Sequence, residues 1–120
     1  MNIENEKNVE IKVVGIGKTG NSALDEIIKA VEADFVAVSE KQENLDLSEA
    51  GIKILVAEDF EKKIQKALEN TDMLFILAET DEVENVKIST AVAKIAQSLD
   101  ILTISIIAAP SEAEFEKTGK

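Results

Sequence analysis

Five short runs of aliphatic and β-branched residues recur along this chain, and the stretches between them carry apolar residues at helical spacing. The runs are Val9 to Gly15, Phe35 to Ser39, Ile52 to Ala57, Met73 to Ala78 and Ile101 to Ile107. Runs of that length, bounded by turn residues, read as strands. Met73 to Ala78 is apolar throughout, which predicts burial on both faces. Leu24, Ile27, Ile28 and Val31 fall at i, i+3, i+4 and i+7 and predict a helix from about Asn21 to Glu32. Asn21 or Ser22 would cap it, with Asp25 and Glu26 near its positive end. A second helix spans Asp59 to Asn70, with Phe60, Ile64, Ala67 and Leu68 on one face. A third ends near Leu99 and turns Val92, Ile95, Ala96 and Leu99 inward. Glu40 to Ala50 reads as a loop or short helix, anchored by Leu45 and Leu47. Regular alternation of strand and helix predicts an α/β, Rossmann-like, three-layer fold. Its five-stranded sheet should be mostly parallel, with right-handed crossovers and helices on both faces.

A chain of 120 residues suits one domain, 1–120, with 1–8 and 111–120 as flexible tails and Pro110 ending the last strand. Its aromatics are four Phe, so the core must be aliphatic. Missing residue types narrow the chemistry. Without Cys there is no disulfide, thiolate or Cys-ligated zinc. Without His the usual general base and commonest metal ligand are gone. All 13 basic residues are Lys, so no guanidinium can clamp a phosphate. A net charge of -11 argues against nucleic acid and anionic membranes as partners. The first residues, Met1 to Asn8, are polar and acidic, unlike a signal peptide, and no apolar run reaches membrane-spanning length. The expected location is the cytoplasm.

Gly15, Gly17 and Gly20 form G-x-G-x-x-G between the first strand and the first helix. In that context glycines let backbone approach a phosphate, and the helix start offers unpaired N–H groups. The bland alternative is a tight strand-to-helix turn. Gly17-Lys18-Thr19 echoes the end of a P-loop, but the glycine that motif needs falls at Lys12. A dinucleotide site would want an acid about 20 residues further on, and Glu40 could hold a ribose there. The competing reading of Glu40 is a solvated carboxylate in a run with Glu43 and Asp46.

Ile11 to Ile28 (IKVVGIGKTGNSALDEII) resembles the first strand, glycine loop and first helix of the tubulin-like GTPase FtsZ. Gly15, Gly17, Gly20 and Asn21 fall on the nucleotide-loop pattern of that family. The similarity continues through Phe35 to Ile54, Ile64 to Glu79 and Ala91 to Pro110, in the family's own order. The resemblance implies the N-terminal, nucleotide-binding half of FtsZ, strand order 3-2-1-4-5, and a link to cell division. It also implies GTP or GDP as the ligand, held by Gly15, Gly17, Lys18, Gly20 and Asn21 if binding is retained.

The chain departs from the family in four places. Val56 to Asp59 replaces a long glycine-rich loop. Glu79-Thr80-Asp81-Glu82-Val83-Glu84-Asn85 stands where the family has its Gly/Thr signature. Lys18 stands where glycine is usual, and the sequence stops after the fifth strand, without the family's central helix or second domain. A carboxylate about 5 Å from a phosphate charge costs on the order of 3 kcal/mol at an effective dielectric near 20. Asp81 and Glu84 have the spacing of a capping box. Glu79, Asp81 and Glu82 are weak candidates for a divalent metal, against the plainer reading of a solvated acidic cluster. Lys18 is expected to pair with these acids.

The expectation is therefore a domain without catalytic residues or cofactor, acting as a binding or assembly module. The alternative is a nucleotide-binding domain, for GTP or an NAD-type ligand, using Gly15 to Asn21. For assembly, the uncharged run Ile101 to Ile107 would lie at a sheet edge, with Leu102, Ile104 and Ile106 on one face. A tail bearing Glu112, Glu114, Glu116 and Lys117 makes a poor apolar cover, so a homo-oligomer through this edge is expected, with another protein as the other candidate partner.

Overall fold

The computed structural model describes residues 9–107. Elements run β1 (Ile11–Ile16), α1 (Gly17–Ile27), β2 (Asp34–Ser39), α2 (Gln42–Leu47), β3 (Ile52–Leu55), α3 (Phe60–Ala67), β4 (Met73–Ala78), α4 (Val83–Ser98) and β5 (Leu102–Ile107). The strands pair in the order β3-β2-β1-β4-β5, and every pairing is parallel. The expected α/β architecture and strand order are those observed. The tail segments 1–8 and 111–120, and the stop at Pro110, lie outside the described residues.

The pleat divides the core in two, because successive side chains leave a strand on opposite faces. Val14, Ile16, Val36, Val38, Leu74 and Ile76 meet Ile64 and Leu68 of the α3 region and Ile88, Val92 and Ala96 of α4. On the other face Val13, Phe35, Ala37 and Leu77 meet Leu24 of α1 and Leu45 of α2. Val14, Val36, Leu74 and Val92 are fully buried, each contributing about 1.5–3 kcal/mol of transfer free energy.

Several local expectations are corrected. Helix α1 begins at Gly17, four residues earlier than its apolar stripe implies, and β1 runs into it with no intervening loop. Gly17 makes the junction with a φ of 76°, a region open to glycine. Its N-cap is Ile16, without a side-chain cap, so neither Asn21 nor Ser22 serves there. The first turn therefore holds no acid, Asp25 falls toward the other end, and Val31 lies outside the helix, exposed. Glu40 to Ala50 contains a true short helix, but only Leu45 anchors it; Leu47 is 79% exposed. The N-cap of α4 is Glu82, one residue past the expected Asp81, so the Asp81–Glu84 capping box does not form. Helices α3 and α4 give way just beyond their ends to Asn70 and Asp100, which adopt left-handed φ of 62° and 59°.

Candidate functional site

Open parallel sheets bind ligands beyond the carboxyl ends of their strands, where the connections diverge. A cleft of about 350 Å³ lies there, lined by Gly17 and Lys18 from the start of α1, Ser39, Glu40 and Lys41 after β2, and Glu43, Asn44 and Leu47 of α2. Glu82 and Asn85, at the start of α4, close its far side. A larger hollow of about 520 Å³, floored by Ile52, Ile54 and Ala67, involves Lys12 and Asp34 at the opposite ends of the strands. The first cleft is the candidate site.

Around it, buried side chains tie the connections to the strand ends. Ser39 is buried, and its Oγ accepts hydrogen bonds from the Lys41 N–H at 3.1 Å and from Asn44 Nδ2 at 2.9 Å. That pair of bonds fixes the turn from β2 into α2. Asn21 is 4% exposed and donates from Nδ2 to the carbonyls of Gly17 at 2.7 Å and Val38 at 3.0 Å. These bonds fasten the first turn of α1 to the end of β2. Its Oδ1 is buried without a partner.

Of the five residues expected at the nucleotide, Gly17 and Lys18 line the cleft, and Gly15, Gly20 and Asn21 do not. The glycines serve packing. Gly15 lies within β1, opposite Ala37 and Leu77, rather than in a loop. A Cβ there would stand 2.8 Å from the Gly20 carbonyl oxygen and 3.0 Å from Leu24 Cβ, so its absence lets α1 settle on the sheet. At Gly20 a Cβ would meet the Leu77 carbonyl oxygen, so this glycine sets the approach of α1 to β4. At Gly17 a Cβ would meet both the Nδ2 and Oδ1 of Asn85 at 2.7 Å. The side-chain amide of Asn85, itself 7% exposed, is seated on the one motif glycine that faces the cleft.

Asn85 was missed by reasoning from motifs, although a signal existed. Asn85, Ile88, Val92 and Ala96 form the buried stripe of α4, and one polar residue in such a stripe marks a special position.

The acidic segment is looser. Among Glu79, Asp81, Glu82 and Glu84, only Glu82 lines the cleft. Glu84 instead faces Lys87 at 3.7 Å, an exposed pair worth little. The other ion pair among the described residues is Lys63–Asp59, so the expected pairing of Lys18 with the acids is not formed; Lys18 is exposed on the first turn of α1. No group of three or more carboxylates among the described residues is gathered closely enough to hold a metal ion, so Glu79, Asp81 and Glu82 are not brought together as ligands. Glu40 does reach the cleft, just beyond the end of β2.

A parallel 3-2-1-4-5 sheet with a glycine junction opening at its carboxyl end defines the class: a Rossmann-like α/β domain. Among solved structures, a point mutant of FtsZ from M. jannaschii matches at a TM-score of 0.78 with 23% identity, over 89% of this chain. An empty dimer of FtsZ from M. jannaschii matches at 0.76 with 24% identity, over 92%. In both, this chain spans 39% of the FtsZ chain's length. No protein-family model matches the sequence. The chain thus has an FtsZ-like fold, as the sequence resemblance implied. Among the described residues no helix is long and apolar enough to cross a membrane.

Proposed function

We propose that this chain is a non-catalytic FtsZ-like domain that neither binds nor hydrolyses GTP and works as a binding or assembly module, in keeping with the resemblance's link to cell division. One observation carries the reading: the Asn85 amide is packed against Gly17, the one motif glycine that reaches the cleft, where a Cβ on that glycine would stand. Charge points the same way. Glu40, Glu43 and Glu82 share the cleft with Lys18 and Lys41, leaving no surplus of positive charge for a polyphosphate.

Two measurements test it. Phosphate release with excess GTP, Mg²⁺ and K⁺ should not exceed that of the heat-denatured protein. Melting should not shift with millimolar GTP, GDP, NAD or NADP, each with Mg²⁺; a ligand at 100 times its Kd would add about 2.7 kcal/mol. A clear GTP shift would overturn the proposal.

A second reading keeps nucleotide binding, of GTP or an NAD-type ligand, through the part of Gly15–Asn21 that reaches the cleft, Gly17 and Lys18. It is favoured by a cleft of 350 Å³, within the usual range of about 300–1,000 Å³ for ligand pockets. Lys18 and Lys41 would meet phosphate and Glu40 the ribose. An NAD shift lost in Glu40→Ala is the outcome that selects it.

A further inference from the structure

We propose that β5 is a homodimerisation strand, pairing antiparallel with β5 of a second copy of this chain about a two-fold axis at Ile104. This names the partner that the assembly reading leaves open, and rests on that reading for its biological sense.

Among the described residues the two sheet edges are unlike. Edge β3 is short, Ile52–Leu55, and bears Lys53. Lysine and brevity are usual guards against edge pairing. Edge β5 runs Leu102–Ile107 with sequence LTISII and has neither charge nor proline. In a chain of net charge -11, that uncharged strand is the place where a second copy can approach without meeting like charge. It is exposed on both faces, with Leu102 57%, Ile104 39%, Ile106 44% and Ile107 69% accessible. Register places Leu102, Ile104 and Ile106 beside Met73, Phe75 and Leu77, on the face where Leu77 packs with α1 and α2.

Backbone direction decides what a partner can grip. The Leu102 N–H donates to the Asp72 carbonyl at 3.2 Å, toward β4. Along a strand the backbone groups of successive residues point to opposite edges. Thr103, Ser105 and Ile107 therefore turn their N–H and C=O outward. The side chains alternate symmetrically about Ile104, apolar at Leu102 and Ile106, hydroxyl at Thr103 and Ser105. An inverted copy then sets like against like. Thr103 faces the partner's Ser105 in hydrogen-bonded pairs, each exchanging both backbone bonds. Ile104 faces the partner's Ile104, and Leu102 the partner's Ile106, in the closer non-hydrogen-bonded pairs, where apolar cross-strand contacts add stability. The contact is isologous and closes at two copies. A single strand pair buries less than the ~1,600 Å² of a standard interface, so the dimer should form at micromolar rather than nanomolar concentration.

Light scattering on a sizing column tests this, with the full chain loaded at tens of micromolar. The expected mass is twice the 13.0 kDa of one chain. Ser105→Pro removes an outward donor and leaves the ladder to β4 intact, so it should elute as a folded monomer with unchanged far-UV circular dichroism. If that variant is insoluble, Ile104→Lys keeps every donor and should be monomeric. A monomeric wild type overturns the proposal, as does a dimer that survives either substitution. A dimer appearing only after removal of 108–120 also overturns it, since the chain's own tail would then cover the edge. A monomer whose melting ignores GTP would end this proposal and leave the non-hydrolysing reading standing. An intact dimer with a GTP shift would do the reverse.

Discussion

The β1–α1 junction and the β4–α4 segment face each other across the cleft and are built in opposite ways. The first has no loop, and its glycines are pressed against Leu24, Leu77 and Asn85. The second is an irregular segment without glycine or side-chain cap, whose acids are largely exposed. They meet where Asn85 sits on Gly17. The contrast teaches that a glycine motif can be fully accounted for by packing. A ligand site needs more, namely space and donors left over after the protein has packed against itself.

The largest effect is expected at Gly20. A Cβ there meets a backbone carbonyl that cannot move without disturbing β4. Gly20→Ala should cost about 3 kcal/mol in urea unfolding, as overpacking against fixed backbone does. A loss below about 0.5 kcal/mol would show that α1 is not held against Leu77.

Gly17→Ala comes next. Its left-handed φ alone costs a side chain about 1–2 kcal/mol, and the Asn85 amide adds a steric share. That share should vanish in an Asn85→Ala background, so the two substitutions should be non-additive in a double-mutant cycle. Strict additivity would mean that Asn85 does not rest on Gly17.

The smallest effect belongs to the acidic segment. Asp81→Asn and Glu82→Gln should each change stability by no more than about 0.5 kcal/mol, as solvated side chains do. A larger loss, measured by thermal melting, would show that this segment is fastened in a way its exposure hides.

Much of the fold could be read from local pattern. Phe60, Ile64 and Leu68 recur at helical spacing and are buried, and Met73 to Ala78 is a central strand whose sides are covered by helices. Errors fell at element ends. The apolar stripe of α1 begins at Leu24, so periodicity cannot see that Gly17, Lys18 and Gly20 already form its first turn. The site was legible only in outline. Gly17, Lys18 and Glu40 reach the cleft as motif spacing suggests, while Gly15, Gly20 and Asn21 are taken up by the protein's own packing.

What the sequence determined by itself was the alternation of strand and helix, the aliphatic core and the absence of thiol, imidazole and guanidinium chemistry. These follow from residue type and near-neighbour spacing, which act locally. The use of each glycine follows instead from contacts made across the folded chain. Gly15, Gly17 and Gly20 answer to Leu24, Asn85 and Leu77, and the last two of those contacts come from elements far along the chain. The same holds for Asn21, whose amide is committed to Val38 across the α1–β2 boundary. A motif specifies which backbone shapes are allowed, but close packing specifies which atoms fill the space those shapes leave, and that is settled by the whole fold at once.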